Sequence, residues 1–154
     1  MFRIKLNVSE EVMSWLDDIT DNKGETEMRR IMYKSLRDFV NKWQVPYMRM
    51  QTDGFLMIGG KKVKKEDLIV SKLSPYAPVK GDSPLSSLLL GDKLIEKLQQ
   101  AYSVIKVGSE GIKPIDEWVS QIITEAIIDE RANQISSSLQ QEESEIEKEE
   151  TKTK

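Results

Sequence analysis

Phe2-Arg3-Ile4-Lys5-Leu6-Asn7-Val8-Ser9-Glu10-Glu11-Val12 is the stretch whose reading decides the fold. Apolar side chains at Phe2, Ile4, Leu6 and Val8 alternate with Arg3, Lys5 and Asn7. Successive side chains of a strand point to opposite faces, so the pattern predicts a strand from Phe2 to Val8 with one buried and one polar face. Ser9 then occupies a helix N-cap position, with Glu10 and Glu11 facing the positive end of the helix dipole.

Working outward, Val12, Trp15, Leu16 and Ile19 fall on one face of a short first helix, expected to stop at Asp21-Asn22-Lys23-Gly24 with the glycine as a left-handed cap. Thr26 is placed to cap a second helix with an apolar stripe of Met28, Ile31, Met32, Ser35, Leu36 and Phe39, ending near Trp43 ahead of Pro46. The core is expected from Ile4, Leu6, Val8, Val12, Trp15, Leu16, Met28, Ile31, Met32 and Leu36, because aromatic and methionine stripes at helical spacing usually bury apolar area. One strand and two short helices cannot close that core alone. A lone strand leaves its backbone groups unpaired, so a second copy of the chain is expected to complete it.

Beyond Pro46 the rhythm changes. Short runs at Tyr47–Gln51, Phe55–Ile58 and Lys61–Lys65, separated by Thr52-Asp53-Gly54 and Gly59-Gly60, predict short strands and glycine turns. Glu66–Leu73 adds a further strand or turn, and the proline-bearing stretch Ser74–Pro84 reads as a linker or ordered loop. A helix is predicted from Gly91 or Asp92 with Leu94, Ile95, Leu98, Ala101 and Tyr102. Another is capped by Asp116, with Trp118, Val119, Ile122, Ile123, Ala126 and Ile127 on its apolar side. Past Ala132 the serines, glutamines and glutamates predict fraying or disorder.

Composition excludes several chemistries. The 154 residues contain neither cysteine nor histidine, which removes disulfides, zinc fingers, Ser-His-Asp and Cys-His catalysis and histidine-ligated metals. No cofactor and no enzymatic activity are expected. The net charge of −3 is concentrated between Glu142 and Glu150, and the remaining body is near neutral, so any contact with nucleic acid must come from a local patch. Asp17, Asp18 and Asp21 lack metal-loop spacing and read as a solvated helix surface. Arg3, Lys5, Glu10 and Glu11 interrupt what an export signal would need as an apolar core, and no window approaches a membrane span. The expected location is cytoplasmic, in a prokaryote or in the host cell of a virus.

Residues 2–43 resemble the ribbon-helix-helix superfamily of small repressors that includes MetJ, Arc and CopG. The run Ile4–Val12 carries most of the likeness, and Leu16, Gly24, Thr26 and Ile31 extend it. The resemblance implies that two chains pair their first strands into an antiparallel ribbon lying in the major groove of double-stranded DNA. It also implies a phosphate grip by the first-turn amides of the second helix, expected from Lys23, Gly24, Glu25, Thr26 and Arg29, with Arg30 as a further cation and the acids Glu25 and Glu27 opposing it. The residues support the groove geometry independently, since Arg3, Lys5 and Asn7 must point away from the helices and are side chains able to read guanine or adenine edges. The alternative is that they form the wet face of an edge strand.

On that basis the fold class is expected to be α+β and mostly helical: a ribbon-helix-helix domain over 1–45, a β-hairpin region with linker over 46–84, a helical domain over 85–135 and a disordered acidic tail over 136–154. The implied function is a homodimeric, sequence-specific DNA-binding transcriptional regulator or repressor. The alternative is an antitoxin, partition adaptor or structural assembly protein working through the C-terminal half. Lys61, Lys62, Lys64 and Lys65 form a basic cluster that is either a second DNA-backbone contact or a solvated hairpin face resisting edge pairing. The acidic tail is either a solvated end or a DNA-mimicking or partner-binding segment. Leu88–Leu94 also echoes Leu6–Val12, and Trp118–Ile127 echoes the second helix, although Leu89 stands at the polar, groove-facing position and Pro84 interrupts the strand start. The C-terminal half is therefore either a degenerate second copy or an unrelated helical region for assembly or effector recognition.

Overall fold

The computed structural model describes residues 1–109 and 111–152, with side chains described up to Leu139. The class is α+β, with four α-helices and two separate two-stranded antiparallel sheets among the described residues. In chain order these are β1 (Phe2–Lys5), α1 (Glu10–Ile19), α2 (Glu25–Asp53), β2 (Phe55–Ile58), β3 (Lys61–Lys64), β4 (Ser87–Leu90), α3 (Asp92–Gly108) and α4 (Ile115–Lys152).

The partner of the first strand lies in the same chain. β1 pairs antiparallel with β4, Phe2 opposite Leu90 and Lys5 opposite Ser87, and the Leu6 amide extends the ladder to the Ser86 carbonyl at 2.8 Å. This corrects the expectation that a second copy completes the strand, since the unpaired backbone groups that required a partner are satisfied 85 or so residues further along the same chain. Strand-helix-helix order occurs twice, and the two sets interlock: α1 packs on α4, and α2 packs on both α3 and α4.

One main core results. Ile4, Leu6, Val12, Leu16, Met28, Met32 and Leu36 from the first set are buried with Leu88, Leu90, Ile95, Leu98, Val119, Ile123 and Ile127 from the second. Val8, Trp15 and Ile31, also expected in the core, pack against it partly buried. Trp118 is the aromatic centre, edge-on to both Phe39 and Tyr102 with ring centroids 5.2 Å away in each case. Because this cluster draws on residues from Ile4 to Ile127, the divisions at 45 and 84 do not separate independent cores.

Local departures from expectation have local reasons. β1 ends at Lys5 rather than Val8, although Leu6 stays buried. Ser9 caps α1 as expected, accepting from the Val12 amide. The turn after α1 uses Asp21 (φ 54°) and Asn22 (φ 56°) in the left-handed region, and Gly24 (φ 98°) becomes the N-cap of α2, displacing Thr26 from that role. α2 does not stop at Trp43. It continues through Pro46 to Asp53, so the strand expected at Tyr47–Gln51 is helical. Proline forfeits one backbone bond there. Burial offsets the loss, because the continued helix brings Met50 into a second small cluster with Val63 and Val104, flanked by Trp43, Tyr47, Leu56 and Ile58.

The β2–β3 hairpin turns at Gly59-Gly60 as expected and packs on α2 and α3. Glu66–Leu73 forms a short 3-10 turn at Lys65–Asp67 and then unpaired chain, which buries Leu73. α4 begins at Ile115, one residue ahead of the expected cap, and runs past Ala132 to Lys152 where fraying was expected. The side chains of the acidic run Glu142–Glu150 lie outside those described.

Candidate nucleic-acid interface

The β1–β4 ribbon has an inner and an outer face. Ile4, Leu6, Leu88 and Leu90 point inward and are buried. Directly opposed residues of an antiparallel pair share a face, so Arg3 with Leu89 and Lys5 with Ser87 form the outer one. Asn7, just past the end of β1, is exposed with Lys5. The structure therefore places Arg3 and Lys5 on one face of the ribbon, and Asn7, beyond the paired residues, is exposed beside α4. It does not give six such groups: the second strand contributes Ser87 and Leu89, because β4 is not a copy of β1.

Side chains from elsewhere fix this face. The Arg3 guanidinium donates to Ser87 Oγ at 3.2 Å, crossing the ribbon diagonally and covering that serine. The Asn7 backbone amide donates to Ser120 Oγ of α4 at 2.9 Å, leaving the Asn7 side chain free. Asn7 and Ser9 also line a shallow groove of about 460 Å³ with Lys113 and Glu117, which places Lys113 as an additional cation beside the strand end.

Both ribbon edges are contacted. On the β4 side the Tyr33 hydroxyl, from α2, donates to the Leu89 carbonyl at 2.7 Å. On the β1 side the Tyr76 amide donates to the Arg3 carbonyl at 2.7 Å. Each contact occupies one outward-pointing carbonyl of the ribbon edge. Tyr76 belongs to the proline-bearing loop, which is ordered by its own bonds: Asp82 accepts from the Tyr76 hydroxyl and from the Val79 amide at 2.9 Å. The first of these holds the Asp82 carboxyl below the ordinary aspartate range and lifts the Tyr76 hydroxyl above the ordinary phenol range. Lys5 Nζ sits 5.8 Å from the Tyr76 ring centroid, so one proposed reading side chain is oriented partly by this loop.

The expected phosphate grip is mixed. Lys23, Gly24, Glu25 and Thr26 are all exposed at the start of α2, and no side chain caps its first-turn amides, which leaves N–H groups open to an anion. Arg29, however, is paired with Glu25 at 3.5 Å and donates to the Pro84 carbonyl at 3.2 Å, and Arg30 is paired with Glu27 at 3.0 Å. These cations are engaged within the protein. Lys61, Lys62, Lys64 and Lys65 are exposed on the hairpin, with Lys62 Nζ over the Phe55 ring at 4.3 Å. The hairpin is seated against Met50 whereas Tyr33 touches the ribbon, and 17 residues of helix separate these contacts by about 25 Å along the axis. The lysine cluster is not part of the ribbon surface.

Sequence reasoning missed Tyr33, Tyr76, Asp82, Lys113 and Ser120. Tyr33, Tyr76, Lys113 and Ser120 act on residues distant along the chain and carry no local signal, whereas Asp82 closes a local turn with Val79 and Tyr76. No helix among the described residues is long and apolar enough to cross a membrane. No family model, curated protein or solved structure matches the chain.

Proposed function

We propose that this protein is a sequence-specific DNA-binding protein, a transcriptional regulator whose single chain builds one ribbon-helix-helix unit and inserts the β1–β4 ribbon into the major groove. The observation that carries the reading is the antiparallel β1–β4 pair, whose inward side chains share a core with α1 to α4, with Arg3 and Lys5 on its outer face and Asn7 exposed just past its end. A two-stranded ribbon of this size fits a major groove, and these side chain types recognise base edges there. On this reading the uncapped first turn of α2 holds a backbone phosphate against the opposing charge of Glu25 and Glu27, and Lys113, in one groove with Glu117, adds a cation next to Asn7. The unit that engages DNA is one chain, in place of the homodimer expected from the first strand alone.

Binding of a random duplex pool at defined salt tests the reading. Arg3→Ala, Lys5→Ala and Asn7→Ala should each keep the fold and weaken specific binding by about 1 to 3 kcal/mol where a base contact is lost. Unchanged affinity in all three would remove the assignment. A second reading, as an antitoxin, partition adaptor or assembly protein, is favoured by one feature: Ile128, Ile135 and Leu139 are 44%, 51% and 56% exposed along α4. A protein partner binding there would be unaffected by the three ribbon substitutions.

A further inference from the structure

The ribbon has a backbone of two equivalent strands and an outer face of two unlike rows. β1 presents Arg3 and Lys5, continued by Asn7, while β4 presents Ser87 and Leu89 directly opposite Lys5 and Arg3. Ser87 is covered, and Leu88 and Leu90 face the core, so Leu89, 39% exposed, is the side chain that β4 offers to the outside. Its backbone is held in place: its neighbours Leu88 and Leu90 pair with Ile4 and Phe2 of β1, and the Tyr33 hydroxyl donates to the outward-pointing Leu89 carbonyl.

A branched apolar side chain opposite Arg3, on the face that also carries Lys5, neither donates nor accepts a hydrogen bond. The apolar group that base pairs display in the major groove is the 5-methyl of thymine. Resting on the DNA-binding reading, we propose that Leu89 is a specificity residue that selects a thymine through its 5-methyl group, beside the base read by Arg3. Because the two rows differ, one chain then reads a sequence without two-fold symmetry. Palindromic operators mirror the symmetry of a symmetric dimer, and this outer face has none.

The test starts from the sequence motif selected by the intact chain. Each thymine of the bound duplex is replaced singly by deoxyuridine, which deletes the methyl group and keeps the pairing groups. Affinities are measured for the natural chain, Leu89→Ala and Leu89→Gln, with circular dichroism confirming that the variants fold. The expected result is a motif lacking two-fold symmetry and one thymine whose replacement weakens the natural chain about fourfold, the equivalent of one buried methyl-sized group. That sensitivity should be absent in both variants. Specific binding with no methyl-sensitive thymine, or with the same sensitivity in Leu89→Ala, would overturn the role of Leu89 and leave DNA reading intact. A palindromic motif would overturn the single-chain asymmetry. Absence of any selected motif would instead remove the DNA-binding reading, and this inference with it.

Discussion

Ser120 Oγ, on the buried side of α4, accepts the backbone N–H of Asn7 at 2.9 Å and thereby ties the end of the first strand to a helix 113 residues away. Ser120 is itself 2% exposed. Ser120→Ala should leave the Asn7 amide without this acceptor and lower unfolding stability by about 1 to 2 kcal/mol. The measurement is the urea midpoint at unchanged slope. If the DNA reading holds, the same variant should also bind its site less tightly, because Asn7 is no longer positioned. A midpoint equal to that of the natural protein would show that water replaces the serine without cost.

Leu6 packs between the ribbon and the helices at 5% exposure. Leu6→Asp puts a carboxylate where there is no partner, and desolvating an unpaired charge costs several kcal/mol, a large share of the stability of a small domain. The variant should lose cooperative thermal unfolding. Since the ribbon is made within one chain, its loss of structure should not depend on protein concentration. A folded Leu6→Asp chain would mean that the strand faces are reversed.

Much of the fold was legible where the determining forces are local. The alternation from Phe2 to Val8, the Ser9 cap, the Gly59-Gly60 hairpin turn and the start of α3 after Gly91 all depend on neighbours a few residues apart. Pro46 was misleading because its cost is local while the compensating burial of Met50 against Val63 and Val104 is tertiary. The pairing of Phe2 with Leu90 is non-local in the extreme, and the faint echo of Leu6–Val12 in Leu88–Leu94 was its one trace in the sequence. For the candidate site, the shared outward face of Arg3 and Lys5 followed from side-chain period alone. Tyr33 and Tyr76 could not, since nothing in their surroundings along the chain says that they meet a strand edge.

Gly108, at the last position of α3, faces Ile58 of the hairpin so closely that an added Cβ would lie 2.8 Å from the Ile58 Cβ and Cγ2 and 3.3 Å from its Cδ1. Gly108→Ala should therefore push the hairpin from α3 and cost about 1 to 3 kcal/mol, more than the roughly 1 kcal/mol that alanine contributes to a helix over glycine. Ile58→Ala removes two of the three close atoms. In that background the cost of Gly108→Ala should shrink, a coupling that a double-mutant cycle of urea midpoints measures directly. Equal costs in both backgrounds would mean that the hairpin is not seated on α3 at this point.

The Tyr76–Asp82 contact sets the pH range over which the loop beside β1 is held. The hydrogen bond from Tyr76, then that from the Val79 amide, depresses the Asp82 carboxyl below 3.8, with Lys5 adding a smaller attraction. A depressed carboxyl means the folded loop favours the ionised form, so its contribution is complete above that ordinary value and is lost as pH falls through the lower folded one. The Tyr76 hydroxyl is raised above 10.0 chiefly by the same bond, so its contribution is complete below 10.0 and is lost as pH rises through the folded value. Both groups face solvent, and the effect is expected on loop order rather than on global stability. Followed by NMR, the Val79 amide shift should stay constant through neutral pH and change only below the ordinary aspartate value. Asp82→Asn should abolish that acid transition and loosen the Tyr76 amide from the Arg3 carbonyl, seen as faster hydrogen exchange at Tyr76. A Val79 transition centred at or above 3.8 would show that the loop does not hold the carboxylate in this way.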